Sequence, residues 1–107
     1  MNRGAVYWVN LEDTHPPEFG KKRPALIVSN SEQNQILPTV VVLPISSRKP
    51  EIWPLRLEVV LGKGRSSYVV IPGIRQVAKT RLLECIAVLP EMIMNRVSEA
   101  VELYLQD

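Results

Sequence analysis

The chain has 107 residues, a formal net charge of +2 and 46% hydrophobic residues. That supports one domain (1–107) with one core and not two, and it is too apolar for a disordered chain. The lone cysteine, Cys85, excludes an intramolecular disulfide and a thiolate metal cluster within the chain; lying in an apolar stretch, it is expected to be buried and inert.

Taken in order, residues 4–10 hold Val6-Tyr7-Trp8-Val9, a half-buried first strand. Residues 11–22 read as loop, punctuated by Asp13, Pro16-Pro17 and Gly20. The short apolar run at 25–29 reads as a second, buried strand. Residues 30–38 are polar, with one helical turn expected around 32–35. A third strand covers 39–43, with Pro44 at its edge or end. Residues 45–54 form a second loop, and 55–61 and 67–71 a hairpin around Gly62-Lys63-Gly64. One or two helical turns are expected within 75–82, then a last strand at 83–89. Residues 90–106 form the one long helix, with an apolar stripe of Ile93, Val97, Ala100, Val101 and Tyr104. Pro90 suits its first position, and Glu91 suits the positive end of its dipole. About six short strands and a terminal helix predict a mainly β fold, a small antiparallel barrel or curled sheet. No run reaches transmembrane length and no apolar leader opens the chain, so a cytoplasmic protein without membrane contact is expected.

Cations fall in short groups, the densest being Lys21-Lys22-Arg23. The small net charge permits a nucleic-acid partner without demanding one. Pro24 then sets the chain extended, so Arg23 stands at the rim of a strand. A guanidinium there offers a fixed fork of donors that never deprotonates, which suits a phosphodiester. By itself such a run is more often a solvated loop.

With one histidine, His15, a two-histidine ribonuclease is impossible in one chain. His15 itself reads as a solvated loop residue. No zinc-protease, nucleophile-elbow or phosphate-loop motif occurs. The acidic residues do not cluster as a Mg²⁺ or Zn²⁺ site would require, so neither metal nor cofactor is expected. Arginine, serine, glutamate and backbone remain, and RNA needs little more, because its own 2′-hydroxyl can attack the adjacent phosphorus. A preorganised cationic donor contributes ~3 kcal/mol to such a transition state. Arg23 suits that role, with Glu18 as base or guanidinium clamp and serines after the third strand for a phosphate oxygen.

Two segments, Arg3-Gly4-Ala5-Val6-Tyr7-Trp8-Val9-Asn10 and Gly20-Lys21-Lys22-Arg23-Pro24-Ala25-Leu26-Ile27-Val28-Ser29-Asn30, resemble the MazF/PemK toxin family. So do Val42-Leu43-Pro44-Ile45-Ser46-Ser47 and Ile74-Arg75-Gln76-Val77-Ala78-Lys79-Thr80-Arg81-Leu82. The resemblance runs almost end to end. It implies an SH3-like small barrel of the MazF/CcdB type, a homodimer, and a metal-independent endoribonuclease (an mRNA interferase) cutting single-stranded RNA. The implied partner is an acidic, MazE-like antitoxin. The family's catalytic pair falls on Arg23 and Ser46, a serine where threonine is common, and the family's frequent Asp is Ala78 here. Lys21, Lys22, Ser47, Arg48 and Arg75 are candidate RNA contacts. Trp53 could stack a base, fold back on the barrel or bury at the dimer contact. The alternatives are a CcdB-like gyrase-binding toxin on the same barrel and a non-enzymatic RNA-binding module.

Overall fold

The computed structural model describes residues 1–11, 15–17 and 21–107. The elements are β1 (Ala5–Asn10), β2 (Lys22–Ile27), α1 (Ser31–Ile36), β3 (Thr39–Ser46), β4 (Arg56–Leu61), β5 (Arg65–Val70), β6 (Arg75–Ala78), β7 (Leu82–Val88) and α2 (Glu91–Leu105). The strands form one curled antiparallel half-barrel in the order β4-β5-β3-β2-β1-β7, with β6 also paired to β3. The expected mainly β fold with a C-terminal helix is the one observed.

The longest strand, β3, organises the rest. One edge pairs with β2 from Val42↔Ile27 to Pro44↔Ala25. The other pairs first with β6, from Thr39 to Val42, and then with β5 at Ile45 and Ser46. The strand therefore does not stop near Pro44 as expected. Proline has no N–H to give a ladder, and Pro44 lies between the last residue paired to β6 and the first paired to β5. Pro24 is accommodated similarly: it faces Trp8 of β1, and the β3 pairing begins only at Ala25. The second strand consequently starts earlier than its apolar run.

Alternation along these strands separates two cores. Val6, Leu26, Leu43, Ile45, Leu57, Val59 and Val69 point to one face and are covered by Met94, Val97 and Ala100 of α2. Val9, Ala25, Ile27, Val40, Val42 and Val77 form a second cluster on the other face. The helix stripe is shifted from expectation: Met94 is buried, while Tyr104 is 41% exposed. Pro90 caps α2 from outside rather than opening it, and its carbonyl accepts from Ile93 and Met94.

Three further expectations are corrected. Residues 75–78 are strand, followed by a single 3₁₀ turn, Lys79–Arg81, because Val77 pairs with Val40 across β3. This raises the strand number to seven. Cys85 is exposed, because its apolar run is β7, the terminal strand of the sheet.

The link from β2 to β3 is fixed by a buried polar knot. Asn30 caps α1, its side chain accepting from the Glu32 and Gln33 N–H groups. Asn34 is 1% exposed, and its amide donates to the Met1 and Ser29 carbonyls. The Ser29 hydroxyl donates to Asn34 Oδ1 and accepts from the Val41 N–H. Replacing Asn34 by Ala leaves these partly buried partners without their amide, so Asn34→Ala should lower stability by ~1–3 kcal/mol. Urea unfolding checks this, and an unchanged midpoint would show that water substitutes for the amide.

Candidate active site

Arg23, Ser46 and Arg75 lie on the face away from α2. Alternation places Arg23 on it with Ala25 and Ile27. The β2–β3 register ends at Ala25↔Pro44; continued by two residues, it sets Arg23 opposite Ser46. Both residues thus lie just past the end of the β2–β3 pairing, on the same face of the sheet. Arg23 is half-buried, and the loss of hydration lowers its pKa. The guanidinium remains fully charged near neutral pH, and its incomplete hydration favours an anionic ligand.

Ser46 closes β3. Its Oγ accepts from the Arg48 N–H at 3.1 Å, so it does form a turn, yet its own proton remains available to an acceptor. Ser47, Arg48 and Lys49 follow, exposed on the β3–β4 loop. That loop is tied back on β4. Arg56 Nη2 donates to the Arg48 carbonyl at 2.5 Å, and the Glu58 N–H donates to Glu51 Oε1 at 2.9 Å. From α2, Arg96 lies 3.8 Å from Glu51 and places its guanidinium 5.2 Å from the centre of the Trp53 ring. Trp53 is therefore both: folded back under Arg96 on one side and 41% exposed overall.

Arg75 pairs with Val42 in β6, so it shares the face of Pro44 and Ser46. It lines a cavity of about 410 Å³ with Leu11, Val42, Pro44, Val70 and Pro72. Its Nη1 is buried and finds no hydrogen-bond partner among the described residues. A buried cationic donor of this kind costs stability until an acceptor reaches it.

The remaining candidates scatter. Lys21 is exposed with a left-handed φ of 63°. Lys22 is exposed on β2, and alternation turns it away from Arg23. Glu18 lies outside the described residues. Sequence reasoning missed Tyr68 and Glu58. Tyr68 pairs with both Ser46 and Glu58, and its hydroxyl donates to Glu58 Oε2 at 3.3 Å. Burial, and then the neighbouring Glu58 carboxylate, push the Tyr68 hydroxyl up, so it stays a donor. Only the alternation of 56–61 hinted at the face on which Glu58 lies. Among the described residues no cluster of side chains could hold a metal ion, and no helix is long and apolar enough to cross a membrane.

The Arg96 contacts together contribute about 1 kcal/mol. Arg96→Ala should therefore let trypsin cut after Arg48 roughly fivefold faster, in proportion to loop opening. An unchanged rate would mean that the bonds from Arg56 and Glu58 hold the loop without Arg96.

Among relatives, the chain is 33% identical over 110 residues to Endoribonuclease MazF of Staphylococcus saprophyticus, with 98% of this chain and 91% of the relative covered. It superposes on the crystal structure of MazF from Deinococcus radiodurans with a TM-score of 0.84 at 24% identity, covering 98% and 96% of the two chains. A mycobacterial endoribonuclease in complex with its cognate antitoxin gives a TM-score of 0.77 at 24% identity, with 98% and 92% covered. The model of the PemK-like, MazF-like toxins of type II toxin–antitoxin systems matches residues 2–105, and the chain belongs to that family.

Proposed function

We propose that this protein is the toxin of a type II toxin–antitoxin pair, a sequence-specific endoribonuclease that cuts single-stranded RNA along the face opposite α2. The observation that supports this reading is the β2–β3 register, which ends at Ala25↔Pro44 with Arg23 and Ser46 each two residues beyond it on the same face, in a chain whose relative is named an endoribonuclease.

The substrate supplies its own nucleophile. The 2′-oxygen bonds to phosphorus as the bond to the 5′-oxygen breaks; the 2′-hydroxyl loses its proton and the departing oxygen gains one. The products are a cyclic phosphate and a 5′-hydroxyl. Arg23 stabilises the charge that builds on the phosphorus oxygens, and Ser46 donates its hydroxyl to one of them. Glu18 is the candidate base. Arg75, Arg48, Lys21 and Lys22 neutralise phosphates, with Ser47 beside them, and Trp53 offers its open ring face to a base. No step calls for a metal. The protein works in the cytoplasm as a homodimer and is silenced by an antitoxin whose acidic segment folds over the same cations, as coupled folding allows a short segment to cover a large surface.

Purified protein should cut a long unstructured RNA at discrete sites in EDTA; cutting that requires added Mg²⁺ would sink the mechanism. Arg23→Ala should leave the fold intact and slow cleavage about 10²–10³-fold, with incomplete rescue by Arg23→Lys, which lacks the fork. Near-normal turnover by folded Arg23→Ala protein would remove Arg23 from the mechanism. An acidic peptide from the antitoxin should displace labelled, uncleavable RNA, and both affinities should fall as salt rises. Simultaneous binding of RNA and peptide would rule out inhibition by occlusion.

A further inference from the structure

One row of side chains crosses the sheet beside the site. Ser46 pairs with Tyr68, and Tyr68 pairs with Glu58. Directly opposed residues share a face, so all three lie on the face of Arg23 and Arg75. Tyr68 is 4% exposed, which leaves its ring little freedom, and its hydroxyl holds Glu58 Oε2 at 3.3 Å. Glu58 itself is exposed, and the acidic partner of Arg96 here is Glu51 rather than Glu58. A carboxylate is thus tethered by one hydrogen bond in the row that continues to Ser46.

That placement is unfavourable for gripping a polyanion, since a negative charge here repels phosphate. A carboxylate is an acceptor only, so what it can recognise on RNA is a donor. Unpaired bases present such donors on their Watson–Crick edges. Guanine offers an imino and an amino N–H side by side, matching the two oxygens of a carboxylate. Cytosine and adenine each offer an amino group. Uracil offers one N–H flanked by two keto oxygens that repel the carboxylate.

We propose that Glu58, oriented by Tyr68, determines specificity by reading an amino-bearing base, guanine above all, next to the phosphate held by Arg23 and Ser46. Tyr68 is a positioning residue that acts through Glu58. The inference rests on the RNA-cleaving reading and deepens it by assigning one position of the recognised word.

The test is to map cleavage sites on a pool of unstructured RNA randomised around the cut, for the unsubstituted protein, Glu58→Gln, Glu58→Ala and Tyr68→Phe. The unsubstituted protein should prefer guanine over uracil at one fixed position by at least about tenfold, the discrimination of one good paired contact. Glu58→Gln and Glu58→Ala should lose most of that preference there while keeping it elsewhere. Tyr68→Phe keeps the ring volume, so it should melt near the unsubstituted protein and relax the same position less. An unchanged word in both Glu58 variants, or a loss of turnover uniform over all sequences, overturns the inference and leaves the endoribonuclease reading standing. Absence of any cutting by the unsubstituted protein overturns both.

Discussion

The structure depends on β3 serving two partners along one edge. Up to Val42 that edge belongs to β6, and from Ile45 to β5, while the opposite edge follows β2 only as far as Pro44. A strand fully paired on both edges has no place for a proline, since the missing N–H would leave a partner carbonyl unanswered. At the hand-over, Pro44 lies between the stretch paired to β6 and the stretch paired to β5. The β2 pairing ends at the same place, with Arg23 and Ser46 just beyond it. The candidate site is therefore a consequence of how the sheet curls rather than an addition to its surface.

Curling also divides the labour between the two faces. The face under α2 is filled with apolar side chains from β1 to β5. The opposite face begins as a second small core and ends as a cavity with polar groups along its rim. Residues two apart on β3 thus step from core to candidate site: Val42 packs, Pro44 lines the cavity, and Ser46 faces Tyr68. A phosphodiester bound there would meet a guanidinium already short of water. Reduced screening strengthens such an interaction, and a donor fixed by a strand needs no reorganisation when charge develops.

Much of this was legible in the chain. Short β-branched runs bounded by glycine and proline marked most strands, and the apolar stripe of 93–101 marked α2. The residues around Arg23 were conspicuous because a cationic run meets a proline at a strand's rim. What stayed hidden depends on pairing between distant segments. Residues 75–78 carry a single inward apolar side chain, Val77, and become a strand only because β3 offers an edge. Cys85 sits in an apolar run that looks internal, yet the run lies at the end of the sheet. Tyr68 and Glu58 are ten residues apart along a hairpin, and nothing local announces that their row continues to Ser46. Register is a non-local property, and a slip of one residue would turn all three to the other face.

The helix, though on the far side of the sheet, still bears on the site. Arg96 leaves the exposed side of α2 to meet both Glu51 and Trp53, while Glu51 also receives the Glu58 N–H. One guanidinium therefore connects the aromatic of the β3–β4 loop with the backbone of the residue proposed to read a base. Its hold is weak, because both partners are substantially exposed and the contacts are of the order of 1 kcal/mol. That weakness fits the proposed task. Arg96 covers one side of the Trp53 ring, so a base stacking on the other would complete a sandwich and tighten the loop rather than displace its anchor. Ordering then rises on binding, at a small entropic cost, because the Arg56 guanidinium on the Arg48 carbonyl and the Glu58 N–H on the Glu51 carboxylate already tie the loop to β4.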